Sequence, residues 1–196
     1  MSHRRHVLIA AALLGGFCLQ APAQVRVEGQ TFEATTNIAG TDLVLNGVGL
    51  RAVAWIKGYA AALYLTAKAG TPAQVLATPG PKRIQLRMLQ EVAAAEFIKA
   101  IDTGIGRNTP AAEQAVLAER KALFDSQVQA VGKVRKGDVV NLDFIPGRGL
   151  VFTLNGKARG EPIPGEDLYA ALLGIFLGEK PVDGRLKAGL LGGPLS

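Results

Sequence analysis

Residues 43–65, LVLNGVGLRAVAWIKGYAAALYL, constrain this chain more than any other stretch. Between Asp42 and Lys57 the only charged side chain is Arg51, and nearly everything around it is apolar. The run predicts two strands or one long bent strand, with Asn46-Gly47 and Gly49 permitting a turn or bulge near its start. Such a run belongs to a core, where a guanidinium is costly unless an anionic group meets it. Two kinds of partner are open: an internal carboxylate such as Asp143 or Glu166, or an acidic group on a bound molecule.

The first 23 residues predict an export signal rather than a part of the fold. Arg4 and Arg5 form a basic start, an apolar stretch runs from Val7 to Leu19, and Ala21-Pro22-Ala23 is a small-residue cleavage pattern. The apolar stretch is shorter than the roughly 20 residues that cross a bilayer. A periplasmic destination follows, by the general secretory route or, through the Arg4-Arg5 pair, the twin-arginine route. Residues 24–196 are then a single domain with no membrane-spanning segment, long enough for a sizeable core.

Removing residues 1–23 removes His3, His6 and Cys18, the chain's only histidines and only cysteine. Histidine acid–base chemistry, thiolate nucleophiles, disulfides and His/Cys metal sites are excluded from what remains. No acidic cluster has ligand spacing, so no metal is expected. Without Arg4 and Arg5, 20 of the 22 basic residues remain against 16 acidic ones, a mild excess of four. The basic residues are scattered rather than interleaved with aromatics, so nucleic acid is not an expected partner.

Residues 25–34 alternate like an edge strand, and TPAQVLATPG predicts a short helix ended by Pro79-Gly80. In RIQLRML, Ile84, Leu86 and Met88 face one way and Arg83, Gln85 and Arg87 the other, as in a half-buried strand. A helix is expected from about residue 92 to Gly104 or Gly106, and a second after a Thr109-Pro110 start. Two more strands follow, with Asn155-Gly156 as a hairpin turn, and then a helix with Leu168, Leu172 and Ile175 on one face. This order describes an α+β fold, an antiparallel sheet with helices on one face.

The segments LNGVGLRAVAWIKGYAAALYL, EFIKAIDTGIGRN and GLVFTLNGKARGEPIPGEDLYAALLGIFLGEKPV together resemble the chalcone isomerase superfamily, in particular its exported bacterial chalcone isomerase-like branch. The resemblance runs from about Val25 to Leu191 and rests on the G-x-G-x-R start, the A-A-x-Y-L strand and the L-G-x-x-P-V ending. It implies an open-faced β-sandwich, a large antiparallel sheet covered by a layer of helices with a ligand cleft between them. The plant isomerases in this family close a phenol oxygen onto an enone without cofactor, holding the oxyanion with an arginine at the position of Arg51. Fatty-acid-binding relatives use an equivalent arginine, with a tyrosine, to clamp a carboxylate.

Carried onto this chain, the resemblance implies Arg51 as the anion clamp, Tyr59 at the position of the strand threonine, and Tyr169 near the last helix's hydroxyl residue. The isomerases' helix tyrosine falls at about Phe97 and their asparagine near Thr103 or Gly104, with Asn108 the nearest amide. Tyr59 is expected to line the cleft while Tyr64 packs beneath the sheet, Trp55 to pack or form a rim, and Phe97 to be helix core. The expected function is a non-catalytic binder of a small apolar ligand with an acidic group, through Arg51, Tyr59 and Tyr169. The alternatives are an intramolecular lyase or isomerase on an unknown substrate, and a structural or partner-binding protein whose cleft is closed.

Overall fold

The computed structural model describes residues 24–194, so the expected export signal lies outside the described residues. The elements in order are β1 (Gln24–Val27), β2 (Gln30–Glu33), β3 (Thr35–Ile38), β4 (Thr41–Val53), β5 (Ile56–Leu65), α1 (Pro72–Ala77), β6 (Lys82–Met88) and β7 (Val92–Ala93). Then come α2 (Ala94–Asn108), α3 (Ala111–Val131), β8 (Lys133–Val134), β9 (Val139–Ile145), β10 (Gly149–Leu154), β11 (Lys157–Ala158), α4 (Glu166–Leu177) and α5 (Gly184–Leu190). A seven-stranded antiparallel sheet in the order β11-β10-β9-β6-β5-β4-β3 carries the fold. Helices cover one of its faces, which is the expected open-faced layout.

The long apolar run is a hairpin of β4 and β5 whose turn falls at Ala54-Trp55, not at Asn46-Gly47. Asn46 is instead the extra residue of a bulge, where the register passes from Leu45–Tyr64 to Gly47–Leu63. Its side chain is buried and fully engaged: Nδ2 donates to the Ala69 and Leu190 carbonyls at 2.9 and 2.8 Å, and Oδ1 accepts from the Ala69 amide at 2.7 Å. Residues 25–34 form not one edge strand but the β1–β2 hairpin, turned by Glu28-Gly29 with both φ values positive. Asn155-Gly156 makes the expected turn between β10 and β11, again with both φ values positive.

Two apolar layers flank the sheet. Ala61, Leu63 and Leu65 of β5 and Ile84, Leu86 and Met88 of β6 face the helices, whereas Ala60, Ala62 and Tyr64 face Val27 and Phe32 of the β1–β2 hairpin. The alternation expected in β6 is present, but its polar side is covered rather than solvated. Arg83 meets Asp143 directly across β9 through two bonds of 2.7 and 2.6 Å, and Gln85 meets Asn141 at 3.0 Å. Asn141 passes the network on to Thr153 at 3.0 Å. Pairing of this kind is what makes burial of polar groups tolerable.

Glycines set how the helices sit. A Cβ on Gly47 would lie 2.2 Å from the Gly189 carbonyl oxygen, and one on Gly189 would lie 2.2 Å from the Val48 oxygen. Helix α5, which the sequence pattern does not predict, therefore packs backbone to backbone on β4. Helix α2 does not stop at Gly104 or Gly106 but continues to Asn108, because Gly104 lets α4 approach: a Cβ there would meet Ile175 at 2.7 Å. Pro110, not Thr109, occupies the N-cap of α3.

These contacts separate glycines by role. Gly47→Ala and Gly189→Ala are expected to cost roughly 3 kcal/mol or more each by overpacking, whereas Gly106→Ala, which meets nothing within 4 Å, is expected to stabilise the helix by about 0.5–1 kcal/mol. Urea unfolding of the three variants checks the contrast.

Candidate functional site

Between the sheet and helices α2 and α4 lies an apolar cavity of about 130 Å³. Tyr59, Leu86 and Met88 form its floor, Phe97 and Ile101 of α2 one wall, and Leu172 of α4 the other. Its one charged lining residue is Glu96, which is exposed in the first turn of α2. The volume is similar to that of a dry cavity that admits a benzene-sized guest, about 150 Å³.

Arg51 and Tyr59 stand directly opposite each other on β4 and β5, a spacing that brings cross-strand side chains into contact range. Both belong to the residues that face the helices. Arg51 is partly buried, with 23 % of its side chain exposed. Its Nη1 donates to the adjacent Ala52 carbonyl at 2.7 Å and lies 3.7 Å from Asp183 Oδ2. The native anion beside Arg51 is thus neither Asp143, which Arg83 holds, nor Glu166, which lies 3.9 Å from Lys82 Nζ. It is Asp183, the N-cap of α5.

Asp183 is only loosely engaged with the guanidinium. Its Oδ1 accepts the amides of Arg185 and Leu186 at 2.8 and 3.1 Å, as an N-cap does, and Oδ2 alone is turned toward Arg51. At 3.7 Å the contact is an ion pair without a hydrogen bond. Among the described residues Arg51 makes only the one hydrogen bond to Ala52, so most of its five donors are free for another acceptor.

Tyr59 lines the cavity, and its hydroxyl makes no hydrogen bond among the described residues. Burial raises its pKa well above the ordinary value; the Arg51 charge opposes that rise and the Asp183 charge adds to it. The three groups therefore sense one another electrostatically. Tyr169 is not brought to them. It lies in the core against Phe144, with ring centroids 5.6 Å apart, and donates its hydroxyl to the Leu142 carbonyl at 3.2 Å. Tyr64 packs on the far face and donates to the Glu33 carbonyl at 3.0 Å.

Phe97 packs against the core as expected and also lines the cavity, where it offers no hydroxyl. Asn108 faces away from the cavity lining and ties the end of α2 to the chain after α4: Nδ2 donates to the Lys180 carbonyl and Oδ1 accepts the Lys180 amide, both at 2.9 Å. At the other end of α2, β7 pairs with β8 and the Ala94 amide donates to the Gly132 carbonyl at 2.8 Å. Among the described residues no group of three His, Cys, Asp or Glu could hold a metal ion.

A family model described as chalcone isomerase-like matches residues 24–192. The crystal structure of a fatty-acid binding protein from Arabidopsis thaliana is similar, with a TM-score of 0.64 and 16 % sequence identity over 86 % of this chain and 96 % of that one. At that identity the likeness speaks for the fold. No curated protein matches the sequence significantly.

All three tyrosines of the chain resist ionisation. Tyr64 is pushed up to about 12 by burial, opposed by Arg87 and Arg83, and Tyr169 is raised by burial with Asp143 adding to it. A phenol whose pKa folding raises contributes stability that is intact below the unfolded value and lost as pH climbs through the folded one. Tyrosinate absorbance is therefore expected to show no step near the ordinary value of 10.0. It should rise only at higher pH, together with unfolding read by circular dichroism.

Proposed function

This chain belongs to the chalcone isomerase-like family, and from that premise we propose that it is a non-catalytic carrier of a small, largely apolar molecule bearing an acidic group. The observation that carries the reading is the apolar cavity floored by Tyr59, with Arg51 beside that tyrosine and most of its donors unused. An apolar tail would occupy the cavity, and the acidic head would displace the weak Asp183 contact to take a two-pronged bond from the guanidinium, with the Tyr59 hydroxyl as a further donor. The fatty-acid binding protein of the same fold supports this ligand class. Phe97 in place of a helix hydroxyl supports binding over cyclisation, since oxyanion stabilisation without carbonyl polarisation leaves the reaction half provided for. The order of basic, apolar and small residues before Gln24 supports export to the periplasm.

Asp183 favours a second reading, in which Arg51 only ties β4 to α5. A partly exposed pair of this length contributes little stability, so the two readings differ in what Arg51→Met removes. With decanoate as probe in isothermal titration, Arg51→Met and Tyr59→Phe are expected to weaken binding, the former by roughly tenfold or more, about 1.4 kcal/mol, at nearly unchanged melting temperature. Equal affinity, with or without a lowered melting temperature, would assign Arg51 to structure alone.

A further inference from the structure

The β4–β5 hairpin runs past the sheet and presents an apolar tip. Val53, Trp55 and Ile56 are 59 %, 87 % and 54 % exposed, where the sequence alone predicts Trp55 as a packing or rim residue. The turn is tight, with Ala54 at φ +50° and Val53 paired to Ile56, so the three exposed side chains fall within four residues. Nothing in the core needs them there, and large apolar side chains clustered in water mark a binding surface.

The strand directions bring other loops to the same end of the sheet. The Leu89 amide bonds the Gly58 carbonyl, and Gly137 and Asp138 bond the backbone of Met88, so residues 135–138 lie past the end of β6, the strand next to the hairpin. The Asn155-Gly156 turn adjoins them through Val139. Lys57 and Lys133 at this end are paired with Glu28 and Glu91, at 2.6 and 2.8 Å. Asp138 accepts bonds from the Arg135 amide and Asn155 and keeps its negative charge, which lies within reach of Arg135 and Arg159, so the basic residues at this end outnumber the acidic ones without being alone there. Arg135, Lys136 and Lys157 are exposed and form no ion pair among the described residues.

We propose that this end docks on an anionic lipid bilayer, with Val53, Trp55 and Ile56 entering the headgroup–acyl boundary and Arg135, Lys136 and Lys157 resting on the lipid charge. Tryptophan beside aliphatic side chains is the composition of a membrane-interface anchor. Each basic residue near an anionic surface adds to its hold. A second copy is the poorer occupant. Three side chains at a hairpin tip bury far less than the 1,200 Å² or so that a stable interface takes, and paired copies would oppose like charges. Docking stands without any ligand. Where the carrier reading also holds, the anchor sets Arg51 and Tyr59 only a few residues from the lipid from which an acidic amphiphile would be drawn.

Trp55 is the only tryptophan of the chain, so its emission reports the tip whatever residues 1–23 do. With the full chain, phosphatidylglycerol vesicles are expected to shift that emission to the blue, and high salt to weaken the effect. Phosphatidylcholine vesicles are expected to give a much smaller shift. V53S/I56S, which keeps the tryptophan, is expected to require at least tenfold more lipid for the same shift, and R135E/K136E/K157E likewise. Decanoate affinity of V53S/I56S is expected to equal the parent's, so loss of docking and loss of ligand binding are read separately. Emission unmoved by phosphatidylglycerol, or moved equally in V53S/I56S, would overturn the proposal. A blue shift that grows with protein concentration in the absence of lipid, with a dimer by sedimentation, would overturn it in favour of a second copy.

Discussion

Everything in the site depends on how closely α5 can lie on β4. Side chains normally keep a helix and a strand apart, but Gly47, Gly49 and Gly189 remove them at the crossing, and carbonyl oxygens occupy the space that Cβ atoms would need. Asn46 then closes the contact by bonding both Ala69 and Leu190. The consequence is felt one turn away, where the N-cap of α5 is delivered beside Arg51. The glycines in the G-x-G-x-R motif and its arginine thus serve one arrangement: they decide which carboxylate stands near the cation and how firmly.

The far side of the sheet shows what a committed ion pair looks like in this molecule. Arg83 donates two short bonds to Asp143 in a directly opposed cross-strand pair and also donates to Thr36 at 3.0 Å. Breaking such a pair would leave an uncompensated buried charge. Arg51 and Asp183 lack that geometry: the distance is longer, no hydrogen bond forms, and the other carboxylate oxygen is committed to capping a helix. A cation held this loosely can change partners at small cost. The same comparison explains why Asp143 cannot serve Arg51, since it is already committed on the opposite face.

Much of the fold was legible because local patterns and global packing agreed. The period-two alternation of β6 and the Asn155-Gly156 turn needed no distant information, and the family motifs singled out Arg51 and Tyr59, which the structure sets opposite each other on neighbouring strands. Signals failed where the cause lay elsewhere in the chain. Gly104 reads as a helix end unless one knows that Ile175 will press against it. The Ala54-Trp55 turn has no glycine or asparagine to announce it. Arg83, Gln85 and Arg87 read as solvent-facing because their partners are distant in sequence: Thr36 and Asp143 for Arg83, Asn141 for Gln85, and the Phe32 ring for Arg87. Asp183 was missed because a short helix with two glycines in seven residues has little periodicity to show. Tyr169 shares its type with Tyr59 but not its surroundings, and only the packing against Phe144 tells them apart.

Helix α2, the outer wall of the cavity, is pinned at both ends, by the β7–β8 pair at its start and by the Asn108–Lys180 bonds at its finish. A wall fixed in this way cannot swing aside like a door. On the carrier reading, a guest entering behind a wall tied at both ends would thread in lengthwise, and slender, unbranched shapes would pass more readily than broad ones. Selection would then act on the cross-section of the guest as much as on its charge, and exchange would be paced by transient bowing of a tethered rod.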